Sequence, residues 1–176
     1  MNKKERGFTL IELLVVVLII GILAGVALPQ YNKAVARSRY STLKSLTKNI
    51  ADSQELYYLE HGEYADALEK LDIQLPDGQL STETSTPTRY EYNWGRCQTN
   101  SSGNAWCTNN ATQMQYKINP QHIEKNAGKH LCLVLKTKDL TDYRNQICKT
   151  ETGAETPDPS SYTQSSENYT AWIYVQ

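Results

Sequence analysis

The chain opens on a sharp contrast between polar and hydrophobic positions. A short polar segment with three basic residues precedes Gly7, and an almost unbroken apolar run follows from Phe8 to Leu28. That run has 21 residues, and as an α-helix it is roughly 30 Å long, about the thickness of a hydrocarbon core. Its single charged residue is Glu12. The pattern predicts a membrane-spanning helix with its start on the cytoplasmic side, because basic residues precede it.

Helical periodicity continues beyond the apolar run. From Gln30 to about Glu60, apolar residues recur mostly at three- and four-residue steps, and no glycine or proline interrupts them. Gly62 predicts the helix end, as a glycine in the left-handed cap position. We therefore expect one helix of about 50 residues, apolar all round in its first half and amphipathic in its second. A kink is expected at Pro29, since proline lacks the amide hydrogen of a helical bond. The periodic positions of the second half are Val35, Tyr40, Leu43, Leu46, Ile50, Leu56 and Tyr57.

The remainder predicts a small antiparallel sheet. Alternation of apolar and polar residues indicates strands at 90–94 and 114–118, and apolar runs indicate two more at 131–135 and 171–175. A polar hairpin loop is expected between the first two strands. The predicted fold class is α+β, with a long kinked N-terminal helix packed on this sheet.

The connecting segments are predicted from polar composition and turn residues. A short helix is expected at Tyr64–Leu71, a loop at 76–88 and another short helix at Asp139–Ile147. The polar stretch from Lys149 to Asn168 predicts a long surface loop.

Charge and composition exclude several functions. Residues 29–176 carry 15 Lys/Arg and 17 Asp/Glu, which is no basic footprint for nucleic acid. Their 148 residues suit one compact domain. The sequence has no strained nucleophile turn, no paired carboxylates on a definable face and no phosphate-cradling glycine loop. We expect neither enzymatic activity nor a cofactor.

Four cysteines, an even number, favour disulfides in an oxidising compartment: Cys97, Cys107, Cys132 and Cys148. Zinc is the alternative, but there is no C-x-x-C pair, and no histidine stands at a finger-like spacing. Four cysteines allow three connectivities. The pairs Cys97–Cys107 and Cys132–Cys148 are favoured because both close short loops.

The N-terminal segment resembles a known family. Gly7-Phe8-Thr9-Leu10-Ile11-Glu12 resembles the processing site of type IV prepilins and type II secretion pseudopilins. Gly21-Ile22-Leu23-Ala24-Gly25 and Ala27-Leu28-Pro29-Gln30-Tyr31 are also similar to that family. In it, a membrane peptidase cuts after the glycine and methylates the new N-terminus. The resemblance implies cleavage between Gly7 and Phe8, N-methylation of Phe8, and a role for Glu12 in assembling a helical filament.

A carboxylate such as that of Glu12 inside a membrane-length helix costs roughly 2.5–3.5 kcal/mol on insertion scales. The resemblance supplies a partner, the free amine of Phe8 on a neighbouring chain. Gly21 and Gly25 form a G-x-x-x-G pair, which fits close helix approach as well as the general abundance of glycine in membrane helices. With Pro29 they mark the weakest part of the helix, where the family's helices often extend on assembly.

These inferences give a domain plan and a set of partners. We expect a leader peptide at 1–7, a transmembrane or filament-core helix at 8–28 and an extracytoplasmic pilin-like domain at 29–176. That domain comprises the amphipathic half-helix 29–60, a connection 61–88 and a sheet region 89–176. Expected partners are further copies of the chain, a prepilin peptidase and methyltransferase, and a pilus or type II secretion assembly platform. The chain is expected in the inner membrane before assembly, with a single pass, and afterwards in an extracellular pilus or a periplasmic pseudopilus.

Several alternatives remain open. An ordinary signal peptide, cut after Gly25-Val26-Ala27, would release a secreted binding domain that never polymerises. A plain single-pass anchor is a further possibility; neither explains Glu12 or Gly7. A type II secretion pseudopilin is the other open interpretation. It uses the same N-terminal chemistry as a pilin, and the sequence barely distinguishes the two.

The polar surface residues leave two smaller questions. Glu151, Glu155, Asp158 and Glu167 match no calcium-ligand spacing, and a solvated loop is the preferred interpretation. The N-x-S/T triplets are interpreted as polar loop residues. They begin at Asn100, Asn110 and Asn168.

Overall fold

The computed structural model describes residues 7–76, 78–81, 89–122, 126–158 and 169–175. The basic residues of the expected leader, at positions 3, 4 and 6, lie outside the described residues. The helices are α1 (Leu10–His61) and α2 (Tyr143–Thr152), with a 3-10 turn at Leu68–Lys70. The strands are β1 (Gln79–Leu80), β2 (Arg89–Tyr92), β3 (Gly95–Thr99), β4 (Ala105–Asn109), β5 (Met114–Ile118), β6 (His130–Leu135) and β7 (Tyr169–Ile173).

Helix α1 confirms the predicted long N-terminal helix. It runs for 52 residues and continues through Pro29; the kink there stays a prediction. The helix ends where Gly62 adopts a left-handed φ of 74° and its amide donates to the carbonyl of Tyr58 at 2.8 Å. The chain divides into two compact units, and the division falls within α1, between Val35 and Ala36.

The globular unit, from Ala36 onward, is built on an antiparallel meander. Within the described residues the sheet has seven strands in the order β1 to β7, each antiparallel to the next in sequence. Cys97, Cys107, Tyr116, Cys132 and Trp172 lie opposite one another across β3 to β7 and therefore share one face. That face packs against α1, so the α+β class is confirmed.

One side of α1 supplies the helix's share of this core. Its buried residues recur at three- and four-residue steps, as the periodicity predicts: Ala36, Tyr40, Leu43, Leu46, Thr47, Ile50, Ala51 and Gln54. Leu56, predicted to face inward, is 62% exposed, and Gln54 is buried near it instead. The Gln54 amide bonds both backbone groups of Ala65 at 2.9 Å and donates to the Thr99 hydroxyl at 2.8 Å. Gln54 is therefore buried without unpaired polar atoms.

The predicted polar hairpin loop between the first two strands is wrong, because that region forms β3 and β4. Their inward-facing positions hold small or polar side chains, such as Gly95, Cys97 and Ala105, so no large apolar residue reveals the alternation. Gly95 is required by the packing, since a Cβ atom there would lie 2.0 Å from the carbonyl oxygen of Thr108. Trp94, predicted in a strand, lies in the two-residue turn between β2 and β3.

Three other predicted segments are shifted. The helix expected at Tyr64–Leu71 is only the 3-10 turn. The loop expected at 76–88 contains β1, and residues 77 and 82–88 of it lie outside the described residues. The helix expected at Asp139–Ile147 is α2, which begins after the N-cap Asp142 and ends before Gly153, a left-handed C-cap. Lys149–Thr152 belong to α2 rather than to the expected surface loop, whose residues 159–168 lie outside the described residues.

The four cysteines form the two disulfides that short loop closure favours. Cys97–Cys107 joins opposite positions of β3 and β4, with a sequence separation of 10 and Cα atoms 4.0 Å apart. Cys132–Cys148 joins β6 to α2 across a separation of 16, with Cα atoms 5.5 Å apart. All four residues are fully buried. The disulfides therefore fasten the sheet to itself and to α2.

A cluster of aromatic hydroxyls connects α1 to the end of the sheet. The Tyr40 and Tyr174 hydroxyls are 3.1 Å apart, and the Tyr116 hydroxyl is 2.8 Å from Nδ1 of His130. Burial raises the pKa of Tyr40 well above its usual value, with the neighbouring Tyr174 adding to the effect. Burial also lowers the pKa of His130, and Lys48 lowers it further.

A carboxylate on α2 forms ion pairs with two basic side chains of α1. Lys44 Nζ lies 3.1 Å from Oε2 of Glu151, and Arg37 Nε lies 3.6 Å from Oε1. Glu151, one of the acidic residues considered for calcium, is thus engaged by basic side chains. Glu155 and Asp158 follow α2, and Glu167 lies outside the described residues.

We predict that removing the Cys132–Cys148 disulfide destabilises the globular unit. Closing a loop of this length contributes roughly 3 kcal/mol in the chain-entropy model. The double substitution Cys132→Ala/Cys148→Ala should lower the unfolding midpoint in chemical denaturation of the full chain in detergent. The Cys97–Cys107 disulfide closes a shorter loop, so Cys97→Ala/Cys107→Ala should lower the stability slightly less. An unchanged unfolding midpoint in both double variants would contradict the prediction.

We predict that the stability of the globular unit falls in mild acid because of His130. Its pKa is lowered in the folded state, so the unfolded chain binds more protons once the pH drops below about 6.5. This contribution is complete above that pH and is lost as the pH falls through the folded pKa. Thermal unfolding between pH 7.5 and 4.5 should show a smaller decline for His130→Gln than for wild type. Both proteins have the same carboxylates, so the effect of carboxylate protonation cancels in the difference between their two declines. Identical declines of stability with pH would refute the role of His130.

Candidate processing and assembly segment

Helix α1 begins with a capping box that uses Glu12. Oε2 of Glu12 accepts hydrogen bonds from the Thr9 amide at 2.8 Å and from the Thr9 hydroxyl at 2.7 Å. The Glu12 amide donates in return to Oγ1 of Thr9 at 3.3 Å. Thr9 is therefore the N-cap and Glu12 the third helical residue, an arrangement that satisfies two of the amides left over at a helix start.

The capping box changes what Glu12 needs from a partner. The carboxylate already accepts hydrogen bonds from Thr9, through one oxygen. Oε1 accepts no hydrogen bond within the described part of the chain, and the residue is exposed. A cation from another chain can approach Oε1 without breaking the cap. The sequence carries a local signal for this capping box, since Thr9 is followed three residues later by glutamate before an apolar run.

Gly7 and Phe8 precede the helix. Gly7 lies in open space, because a Cβ atom built there meets nothing within 4 Å. Phe8 is 85% exposed, and α1 starts only at Leu10. The bond between Gly7 and Phe8 is therefore in non-helical, exposed backbone. Nothing in the described part of this chain requires glycine at position 7.

The predicted weak points of the helix, Gly21, Gly25 and Pro29, all lie within α1. A Cβ atom at Gly21 or Gly25 meets no atom within 4 Å outside the local helix backbone. Their small size therefore serves no contact inside the described chain, and both positions are open to close approach by another helix.

The apolar side chains around these residues have no internal partner. The large hydrophobic residues from Phe8 to Leu28 are exposed by 47% or more. The helix is long and apolar enough to cross a membrane. An exposed apolar surface of this extent calls for lipid or other apolar helices around it.

The other predicted residues lie elsewhere. The four cysteines are in the core of the globular unit, and Asn100 and Asn110 adjoin strand ends; Asn168 lies outside the described residues. No group of three or more His, Cys, Asp or Glu side chains in the described ranges is arranged to hold a metal ion.

Two family models match the chain. The prokaryotic N-terminal methylation motif matches residues 2–28. The model for type IV pilin-like G and H proteins matches residues 41–171, about three quarters of the chain. The first covers the capping box and the exposed apolar run, and the second covers most of the globular unit.

Curated relatives are similar over shorter stretches. The type IV major pilin protein PilA of Myxococcus xanthus is 46% identical over 65 residues, which are 37% of this chain and 30% of that protein. The fimbrial protein of Neisseria meningitidis serogroup B is 47% identical over 64 residues, 36% of this chain and 38% of that protein. The type IV major pilin protein PilE1 of Neisseria gonorrhoeae is 34% identical over 103 residues, 58% of this chain and 57% of that protein.

The chain thus matches between about one third and just over half of the length of these relatives. No solved structure matches it. The extent of the globular match, the methylation motif and the α+β architecture agree, and the chain belongs to the type IV pilin-like G and H family.

Proposed function

We propose that this chain is the structural subunit of a type IV pilus-like filament. It is made as a precursor, cleaved after Gly7, N-methylated on Phe8 and polymerised through the N-terminal part of α1. The observation that carries the proposal is the coincidence of the methylation motif with a helix whose apolar side chains have no partner in the described chain. The names of the relatives, type IV major pilins and fimbrial proteins, support it.

The first step is processing at the membrane. The leader is residues 1–7, and its basic side chains hold that end in the cytoplasm. Residues 8–28 span the inner membrane once, and residues 29–176 form the extracytoplasmic domain. The exposed, non-helical bond after Gly7 gives a prepilin peptidase access without unwinding α1.

The second step is assembly. Cleavage creates a positive amine on Phe8, and this amine pairs with the Glu12 carboxylate of an adjacent subunit through Oε1, the oxygen that the capping box leaves free. A buried carboxylate without a partner is strongly unfavourable, whereas a paired and hydrogen-bonded one is tolerated. The pair therefore selects one alignment of neighbouring helices. Attraction between subunits comes from the apolar surface, at roughly 25 cal/mol per Å² removed from water.

The third element is the stretch from Gly21 to Pro29. Two glycines and a proline make it the segment of α1 with the lowest helix propensity. We propose that it loses helical hydrogen bonds when the subunit enters the filament.

The partners of the subunit are then its own copies, the peptidase and methyltransferase, and an assembly platform. The finished filament is an extracellular pilus. A periplasmic pseudopilus would use the same segment, and electron microscopy of surface filaments with mass spectrometry of their subunit distinguishes the two.

We predict that Glu12→Gln is processed normally but assembles poorly. An amide oxygen still accepts the hydrogen bonds of the Thr9 cap, whereas the negative charge that attracts the Phe8 amine is lost. Glu12→Ala loses both the cap and the charge. Sheared-filament yield should fall at least about tenfold in each variant, since a buried ammonium group would be left unpaired.

The control for this test is Thr9→Val, which removes the capping hydroxyl and keeps the Glu12 charge. It should assemble to within about twofold of wild type, because a single capping contact contributes only about 1 kcal/mol. Normal filament yield from Glu12→Gln would remove the charge pairing from the proposal.

We predict that Gly7→Ala slows cleavage of the precursor. The added methyl group meets no atom of this chain within 4 Å, so any loss reflects recognition by the peptidase rather than damage to the fold. The fraction of uncleaved precursor should rise severalfold on immunoblots. Gly21→Ala, equally open but away from the bond, should be cleaved at the wild-type rate. N-terminal sequencing of the mature form should begin at Phe8; a start at Leu28 would indicate a released domain instead.

A further inference from the structure

A cavity of about 440 Å³ lies in the globular unit, beside α1 and next to two turns of the sheet. Its size falls in the range of small-ligand sites, roughly 300–1,000 Å³. The turn between β2 and β3 forms one wall, and the end of β4 with the turn that follows forms another. The lining residues are Arg39, Thr42, Asn93, Trp94, Asn109 and Ala111.

Asn109 gives the cavity a fixed hydrogen-bond donor. Its side chain is 2% exposed, and its Oδ1 accepts from the Ala111 amide at 3.1 Å, the Thr112 amide at 2.9 Å and the Thr112 hydroxyl at 3.1 Å. Three donors on one oxygen define the orientation of the amide group. Nδ2 donates to no residue in the described part of the chain. This donor is therefore available to an acceptor inside the cavity.

Trp94 gives the cavity a rigid flat wall. Its ring stacks on that of Tyr92, with centroids 4.6 Å apart and planes within 17°. Its carbonyl accepts from the Asn110 amide at 2.9 Å, and Gly95 beside it packs directly on the backbone of β4. Tyr92 covers one ring face and the core covers another part of the ring, and the part of the indole that lines the cavity offers a flat apolar surface to a ligand.

Arg39 gives the cavity its charge. The neighbouring cations of α1 are engaged, because Arg37 and Lys44 pair with Glu151 and Lys48 pairs with Asp52. Arg39 is exposed and forms no ion pair with any described residue. A guanidinium group matches the two oxygens of a carboxylate with two parallel hydrogen bonds.

We propose that this cavity binds an anionic pyranose, a hexuronate unit of an acidic polysaccharide. The carboxylate pairs with Arg39, the C–H face of the sugar ring packs on Trp94, and a ring or hydroxyl oxygen accepts from Nδ2 of Asn109. Each group on the protein thus meets a group that one sugar residue carries. The site lies wholly in the globular unit, so its existence does not depend on polymerisation.

A nucleic acid fits the cavity less well. A base could stack on Trp94, but binding to a strand depends on several phosphate contacts and a basic track. Among the described residues that line the cavity, Arg39 alone carries a positive charge, and the chain has a formal net charge of −1. The site can therefore neutralise one negative charge, such as that of a single carboxylate.

The test is a binding titration of the full-length chain in detergent micelles, followed by ligand-observed NMR. The first probe is tetragalacturonate, an all-uronate chain of plant-wall type. The second is a hyaluronan tetrasaccharide, in which uronate alternates with N-acetylhexosamine as in animal matrix. Saturable binding of either probe is expected, and the tighter one identifies the source of the saccharide. Methyl esterification of the carboxyl groups should weaken binding at least about tenfold, since it removes the charge-assisted pair.

Variants locate the binding at the cavity. Arg39→Gln should weaken binding at least about tenfold, and Lys48→Gln, on the same helix but already paired with Asp52, should leave it within about twofold. Trp94→Leu should abolish the transfer of magnetisation from the protein to the sugar ring protons in the ligand-observed NMR spectra. Because Trp94 is partly buried, the thermal unfolding of the Trp94→Leu variant is measured as well. If that variant is unfolded, the Arg39→Gln variant, whose residue is exposed, tests whether the ligand binds at the cavity.

Three results would overturn the proposal. The first is no saturable binding of either acidic tetrasaccharide. The second is equal binding of acid and methyl ester, or binding that Arg39→Gln does not affect. The third is tighter binding of a short oligothymidylate than of both saccharides, which would assign the cavity to nucleic acid.

Discussion

The globular unit depends on the packing of one side of α1 against one face of the sheet. Tyr40, Leu43 and Ile50 are almost completely buried there, and the described strands contribute a continuous row of paired residues opposite them. Three other features of the unit depend on this contact: the hydroxyl cluster around Tyr40, the ion pairs between Glu151 of α2 and α1, and the cavity beside Arg39. The same helix, before Val35, carries equally apolar residues that the described chain leaves uncovered.

This asymmetry explains how one helix serves two environments. In the amphipathic half, hydrophobic residues recur at helical spacing and are covered by the sheet. In the apolar half they lie on all sides, so no single sheet could cover them, and lipid or a bundle of similar helices must. Glu12 lies at the boundary between the apolar helix and the polar start, where its carboxylate completes a helix cap through one oxygen and leaves Oε1 without a hydrogen bond in the described chain.

Much of this architecture follows from sequence, and the failures have identifiable physical causes. The length and end of α1 were predictable because helical periodicity and a capping glycine are local signals. Strands β3 and β4 were not, because Gly95 and Cys97 face the core without the bulk that reveals a strand. Gln54 was missed because its burial depends on Ala65 and Thr99, which only the fold brings close. The cavity was missed for the same reason, since its lining joins α1 to two separate turns.

The placement of the disulfides has a mechanical consequence. All four cysteines lie between residues 97 and 148, so both covalent bridges are internal to the sheet and α2, and neither reaches α1. Tension applied along the helix passes to the sheet through side-chain packing, hydrogen bonds and the single peptide connection after His61. Under sufficient force the helix would separate from the sheet, while one disulfide still joined β3 to β4 and the other still joined β6 to α2. The disulfides thus stabilise the sheet and α2 and leave the packing between α1 and the sheet free to separate and re-form.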